Sequence, residues 1–205
     1  MRSIIKSLLL LIGLLLTTLL YAGEPVILIV GDSLSAGYGM ALDQSWPNLL
    51  QQRLDNQGHS YRVFNSSISG DTTQGGLARF PRLLEKHQPG IVIIELGAND
   101  GLRGISVDIT RNNFTQMIER SISMGATVIL TGIRLPPNYG QAYTEKFHAM
   151  YAEMAERYGL LLVPFLMEGV ALDPDLMQDD GIHPNAQAQP ALLENVWTVL
   201  EPALD

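Results

Sequence analysis

Two short segments at opposite ends of the 205-residue chain carry residue types that could cooperate in one reaction. The first, Gly31-Asp32-Ser33-Leu34-Ser35-Ala36-Gly37-Tyr38-Gly39, is a turn of small residues placed directly after an apolar run, with a serine near its start. It lacks the Gly-Lys-Ser or Gly-Lys-Thr ending of a phosphate-binding loop and the G-x-G-x-x-G spacing of a dinucleotide site. Ser35 also stands where the nucleophile elbow G-x-S-x-G needs a glycine. Alone, Ser33 reads first as a helix-capping or turn serine. The second segment, Gln178-Asp179-Asp180-Gly181-Ile182-His183-Pro184-Asn185, changes its weight. Asp180 and His183 are three apart on a tight turn ahead of a helix. A carboxylate there can hold one imidazole nitrogen and leave the other to take a proton from a serine hydroxyl. The competing readings are a loop histidine with an accidental acidic neighbour, or a metal site. The chain has four histidines, no H-E-x-x-H and no second histidine nearby, which argues against a metal.

A serine that attacks an ester creates an oxyanion, and each donor aimed at it contributes about 2.7 to 4 kcal/mol. Besides the Ser33 backbone N–H, the chain offers two candidates. Gly70, in Ile68-Ser69-Gly70-Asp71-Thr72-Thr73, lets a backbone N–H approach a ligand closely. Asn99, in Gly97-Ala98-Asn99-Asp100-Gly101, carries an amide that could point into a crevice. Gly-Asp and Asn-Asp are also ordinary turn chemistry, so neither segment decides the matter by itself.

These residues need a frame. From Glu24 onward, short β-branched runs alternate with longer stretches of helical period, the pattern of a parallel sheet covered on both faces. The runs predict strands over 26–30, 61–65, 91–96, 127–131 and 161–164, several almost wholly apolar as doubly buried strands should be. Helices are predicted over 46–57, with Ser45 as N-cap and Gly58 as the stop, and over 76–86, 110–124, 141–158 and 186–200. Five strands joined by right-handed crossovers can form an open sheet of order 2-1-3-4-5. In that order a crevice opens beyond the carboxyl ends of strands 1 and 3, where the Ser33 and Asn99 loops meet. The pair Gly75-Gly76 reads either as a hinge for a mobile loop near Gly70 or as a helix start.

Composition narrows the class. The chain is 46% apolar and 17% charged, with no cysteine, which excludes a disulfide scaffold, a cysteine metal site and a cysteine nucleophile. A formal charge of -8, with no cluster of Lys and Arg, argues against a nucleic-acid partner. Residues 1–22 hold Arg2 and Lys6, an apolar run over 8–20 interrupted by Gly13, Thr17 and Thr18, and a small residue at Ala22. That is the pattern of a secretory signal peptide, followed by one domain over 23–205. Leu20 stands where a small residue is usual at the cleavage site, so an uncleaved anchor is the alternative, although the run is shorter than a spanning helix needs.

The blocks Gly31-Asp32-Ser33-Leu34-Ser35, Gly70, Gly97-Ala98-Asn99-Asp100 and Asp180-Gly181-Ile182-His183 resemble the four blocks of the SGNH (GDSL) hydrolase superfamily. The resemblance continues over 31–39, 68–72, 76–81, 86–89, 95–104, 133–140 and 177–190. It is nearest to the superfamily's bacterial periplasmic thioesterase, lysophospholipase and arylesterase members. It implies a flavodoxin-like three-layer α/β/α sandwich, with Ser33 as nucleophile, His183 as general base and then acid, and Asp180 rather than Asp179 as its orienting partner. The oxyanion hole would be the Ser33 and Gly70 N–H groups and the Asn99 side chain, with Asp32 and Asp100 structural. No metal or organic cofactor is implied. The expected substrates are small esters and thioesters with an acyl chain, including aryl esters and lysophospholipids. Leu34, Ile133, Leu135, Pro136, Pro137, Tyr139, Phe165, Met167 and Ile182 are the candidates for an acyl groove. An acyltransferase or a carbohydrate acetylesterase would share the site, whereas a non-catalytic lipid-binding module would need a damaged triad. The expectation is an exported monomer with no stable membrane partner after cleavage.

Overall fold

The structure, a computed structural model, describes residues 24–204, so the signal segment expected over 1–22 lies outside the described residues. Five strands, β1 (Val26–Gly31), β2 (Arg62–Asn65), β3 (Ile91–Glu95), β4 (Thr127–Thr131) and β5 (Leu161–Val163), form one parallel sheet. Their order is β2-β1-β3-β4-β5, as the alternating pattern requires. The central pair is in register from Ile27 opposite Ile91 to Gly31 opposite Glu95. Ile27, Leu28, Ile29 and Val30 on β1, and Val92, Ile93 and Ile94 on β3, are fully buried, because helices cover both faces. The edge strands β2 and β5 are shorter and only partly buried.

Among the described residues seven α-helices flank the sheet: α1 (Ser33–Ala36), α2 (Trp46–Gln57), α3 (Thr73–His87), α4 (Ala98–Leu102), α5 (Val107–Ser123) and α6 (Gln141–Tyr158) between strands, and α7 (Gln189–Leu200) after the last. Helices α2 and α7 pack together on one face, while α3, α5 and α6 cover the other. Trp46, Phe80, Phe114 and Phe147 are fully buried between these layers. Each such side chain contributes about 1.5 to 3 kcal/mol relative to exposure. Among the described residues no helix is long and apolar enough to cross a membrane.

The differences from the sequence reading have local causes. Helix α3 begins at Thr73 rather than 76, since the Thr72 hydroxyl accepts the Gly75 N–H at 3.3 Å. Gly75 and Gly76 are therefore the first turn of a helix, not a hinge. Helix α5 starts at Val107, where Ser106 accepts the Asp108 N–H at 3.3 Å. The predicted helix over 186–200 divides into a 3-10 turn, Ala186–Ala188, and α7, with the Asn185 side chain accepting the Gln187 N–H at 2.9 Å and the Ala188 N–H at 3.3 Å. Ser45 occupies the N-cap position of α2, but its hydroxyl turns back to donate to the Leu42 carbonyl at 2.6 Å. The Trp46 N–H is accepted by Gln189 Oε1 at 3.0 Å instead, which ties α2 to α7. The short helices α1 and α4, which periodicity does not reveal, carry Ser33 and Asn99.

Candidate active site

Ser33 is the first residue of α1, immediately past the carboxyl end of β1. Asp32 caps that helix by accepting the Leu34 N–H at 3.1 Å. The turn is tight because Gly31 leaves room beneath it: a Cβ at Gly31 would stand 2.6 Å from Glu95 Oε2 and 2.9 Å from Ser35 Oγ. The Ser33 Oγ lies 2.9 Å from His183 Nε2, and His183 Nδ1 lies 2.7 Å from Asp180 Oδ2. A carboxylate only accepts, so Nδ1 carries the proton and the Nε2 lone pair faces the serine. The other Asp180 oxygen accepts the Ile182 and His183 N–H groups, each at 2.9 Å. The imidazole bond first, and these backbone donors next, pull the Asp180 pKa down from 3.8 to about 2. Asp179 is exposed and is not the histidine's partner.

The His183 loop is pinned from its flank. The Gln178 N–H donates to the His183 carbonyl at 2.8 Å. The Gln178 amide donates to the Pro184 carbonyl at 3.0 Å and, across the crevice mouth, to the Tyr38 carbonyl at 2.8 Å. The Tyr38 ring lies against the imidazole, with centroids 4.4 Å apart and planes tilted by 37°.

On the opposite side, the segment after β2 is drawn to the nucleophile turn. Asn65 Nδ2 donates to the Ser35 carbonyl at 2.7 Å, and the Ile68 N–H donates to the Gly31 carbonyl at 3.0 Å. Gly70 follows, and its carbonyl accepts from Arg103 at 2.9 Å. Arg79 further fixes this segment by donating to Asp71 at 3.0 Å through Nε and by bonding the Ser66 carbonyl. Asn99, in α4, donates through Nδ2 to Asp32 Oδ2 at 3.1 Å. The backbone leading to it is held from behind: Tyr151 donates to the Leu96 carbonyl at 2.9 Å. Gly97 has φ 107°, and a Cβ there would lie 2.3 Å from the Tyr151 hydroxyl. Asp100 points away into the protein, accepting the Thr73 N–H at 2.8 Å and the Thr73 hydroxyl at 2.5 Å.

Beneath the nucleophile turn lie two fully buried carboxyls, Asp32 and Glu95. Burial pushes Asp32 from 3.8 up to about 6, against the opposing pull of the Leu34 N–H, the Asn99 amide and nearby His183. Burial, with the Asp32 charge added, pushes Glu95 well above the usual carboxyl range. Glu95 Oε2 meets the Ser35 hydroxyl at 2.6 Å and the Asp32 N–H at 3.3 Å, whereas Oε1 has no partner. Each carboxyl accepts from two donors, and burial outweighs them in both, pushing each toward its protonated form. Asp32, expected to hold the turn, thus also holds Asn99.

The expected groove residues separate into two groups. Leu34, Ile133 and Leu135 are buried, with 8%, 4% and 9% of their surface exposed, and belong to the hydrophobic core. Met167 packs against that core and Phe165 is half-buried. Pro136, Pro137, Tyr139 and Ile182 lie on the surface. Residues that motif reading did not single out are Glu95, Tyr38, Gln178, Arg103 and Tyr151. The first has a visible signal, an acid closing the apolar run Ile91–Glu95. Tyr38, an aromatic between two glycines, has a weaker one, and Tyr151 has none. Among the described residues no group of three or more His, Asp or Glu side chains is placed to hold a metal ion.

Comparison with known proteins matches residues 29–190 to the model of the GDSL-like Lipase/Acylhydrolase family. Esterase TesA of Pseudomonas aeruginosa is 50% identical over 183 residues, covering 89% of this chain and 91% of that protein. Thioesterase 1/protease 1/lysophospholipase L1 of Escherichia coli K12 is 45% identical over 192 residues, covering 94% of this chain and 91% of that one. A crystal structure of TesA superposes with a TM-score of 0.85 at 51% identity, covering 87% of this chain and 99% of that one.

Proposed function

Since the chain belongs to the GDSL-like lipase/acylhydrolase family and is a carboxylic ester hydrolase, we propose that it works through Ser33 as nucleophile, His183 as general base and acid, and Asp180 as the orienting carboxylate. The observation that carries this reading is the continuous contact from Ser33 Oγ to His183 Nε2 at 2.9 Å and from His183 Nδ1 to Asp180 at 2.7 Å.

Ser33 Oγ bonds the acyl carbon as its proton passes to Nε2, and the carbonyl oxygen becomes an oxyanion. The Ser33 and Gly70 N–H groups and the Asn99 amide are the donors for that charge. The Asp32 carboxylate takes one Asn99 N–H at 3.1 Å, so the NH2 rather than the carbonyl end faces the nucleophile turn and its second N–H is left for the oxyanion. Collapse breaks the C–O or C–S bond, and the proton on Nε2 goes to the departing oxygen or sulfur. Water, giving its proton to Nε2, then releases the acid and restores Ser33. Asp180 fixes the tautomer and stabilises the imidazolium throughout.

The substrates are small carboxylic esters, and the proposal extends to thioesters, aryl esters and lysophospholipids. The names thioesterase and lysophospholipase on the Escherichia coli relative support the first and last of these. The partly exposed Phe165 and Met167 are the better placed of the expected groove residues to meet an acyl chain. The basic and apolar character of 1–22 supports export with that segment removed. The deciding experiment is Ser33→Ala, assayed on a p-nitrophenyl ester. The expected result is a loss of kcat of about 10⁴-fold or more with unchanged thermal midpoint. Retained wild-type turnover would sink the assignment.

A further inference from the structure

The three oxyanion donors proposed above come from separate segments, and the sheet does not set the spacing of all of them. The Ser33 N–H follows β1, the Gly70 N–H follows β2 and the Asn99 amide follows β3. In the order β2-β1-β3-β4-β5 the strand β1 stands between the other two, so no ladder joins the strands behind Gly70 and Asn99. Donors that share one oxygen must nevertheless each come within about 2.7 to 3.1 Å of it. A separate link has to hold the Gly70 loop and α4 at a fixed distance.

Asp100 makes that link. It is the neighbour of Asn99 on α4 and is fully buried. Its Oδ2 accepts the Thr73 N–H at 2.8 Å, and its Oδ1 accepts the Thr73 hydroxyl at 2.5 Å. Thr73 opens α3, three residues beyond Gly70. The first N–H groups of a helix have no partner within it, and here Asp100 supplies one from another helix. The residues in between have little slack: the Asp71 N–H donates to the Ile68 carbonyl at 3.0 Å, and Arg79 holds the Asp71 side chain at 3.0 Å. From α5, Asn113 donates to the Thr73 hydroxyl at 2.9 Å, and the Thr110 hydroxyl lies 3.3 Å from Asp100 Oδ1. Thr73, Thr110 and Asn113 are buried as well, so the four groups hold one geometry. A second link, from Arg103 to the Gly70 carbonyl, is exposed and open to competition from water. An apolar side chain at position 100 would fill the space without the cost of burying a carboxyl. It could not accept two bonds from Thr73.

Resting on the oxyanion reading, we propose that Asp100 is a positioning residue for catalysis: through its two bonds to Thr73 it sets how far the Gly70 N–H stands from the Asn99 amide. Its carboxyl points into the layer between α3, α4 and α5, away from substrate and the reacting atoms. Its effect on rate therefore passes through the two donors on either side of it. That is a sharper role than the structural one implied by the family resemblance.

A double-mutant cycle tests this, with kcat and KM measured on p-nitrophenyl butyrate for the wild type, Asp100→Ala, Asn99→Ala and the double variant. Asp100→Ala should lower kcat about tenfold or more and leave KM within about twofold, because the oxyanion forms only after binding. In the Asn99→Ala background the same change should cost less than about threefold, since one of the two groups that it spaces is already gone. A role in packing alone would lower kcat by the same factor in both backgrounds, and that result, or an unchanged kcat in Asp100→Ala, overturns the proposal. A second pair of variants keeps the test open where Asp100→Ala fails to fold. Thr73→Val deletes the hydroxyl and leaves the N–H, and should cost about threefold in kcat, which Thr73→Ser restores; equal kcat for the two also overturns it. Asn99→Ala alone reports on the underlying reading: a fall of less than about tenfold would remove the oxyanion assignment, and the positioning role with it.

Discussion

Replacing Asp32 by Asn should remove a pH dependence of stability that runs opposite to the usual one for carboxylates. Asp32 is fully buried, and its pKa stands at about 6 rather than 3.8 because the loss of hydration outweighs its three favourable partners. The native state therefore holds this proton more tightly than the unfolded chain does. Between about pH 4 and about pH 6 the native protein binds more protons than the unfolded one, and stability falls as pH rises through that window. Two pKa units at about 1.4 kcal/mol each make the decline about 3 kcal/mol. Asn cannot titrate. The stability of Asp32→Asn minus that of the wild type should climb by about 3 kcal/mol from about pH 4 to about pH 7. A constant offset from the Asn amide facing the Asn99 NH2 does not alter that climb. Glu95 is elevated first by its own burial, which the substitution leaves in place. The assay is urea denaturation of both proteins at about pH 4, 5, 6 and 7. A flat difference, or one that falls with rising pH, would refute the buried-carboxylate argument. The same variant should lose activity, because an amide at position 32 no longer dictates which end of Asn99 faces the crevice.

Asn99→Ala should lower kcat by about 10² to 10³ with little change in KM, the cost of one oxyanion donor; a fall smaller than tenfold would remove Asn99 from that role. It should also move Asp32 above about 6, since it deletes a donor that holds the pKa down. Asp180→Asn should lower kcat by about 10⁴, because an amide can stabilise the wrong histidine tautomer; near-normal kcat would shift the orienting role elsewhere. Asp180 also gives a linkage of the opposite sign to Asp32. Its pKa is depressed to about 2, so its contribution to stability is present above about pH 4 and lost as pH falls toward 2, visible as convergence of wild type and variant in acid.

Much of the frame was legible because each layer of the argument agreed. The apolar runs of β1 and β3 are too continuous for half-exposed strands, and their spacing leaves room for a helix at each crossover. That Ser33, Asp180 and His183 meet was legible because polar side chains of these types at turns have few structural competitors. Three things were hidden. Helices α1 and α4 are too short for a 3.6-residue period to show, and they are set by caps and tight loops instead. Leu34, Ile133 and Leu135 read as groove residues because an apolar side chain near a site has the same sequence signature as one in the core. The Asp32–Glu95 pair depends on β1 and β3 being neighbours, which brings Gly31 opposite Glu95. Only tertiary structure makes a capping aspartate and a strand-terminal glutamate one electrostatic unit.

That unit shows where this fold gives up stability for chemistry. A charged Asp32 in the core, a Glu95 oxygen without a partner and a Gly97 held at φ 107° all sit beneath the two loops that carry Ser33 and Asn99. The first two are unfavourable locally, glycine tolerates that φ, and all three hold the backbone or side chains of these loops in place. Asp32 aims the Asn99 amide, Glu95 holds Ser35 and the Asp32 N–H under the turn, and Gly97 lets Tyr151 reach the Leu96 carbonyl. The fully buried strands β1 and β3 on either side supply the excess stability that offsets them. Substitutions at Asp32 or Glu95 should therefore be ones that cost activity, whereas one at an exposed edge-strand position such as Arg62 on β2 should not.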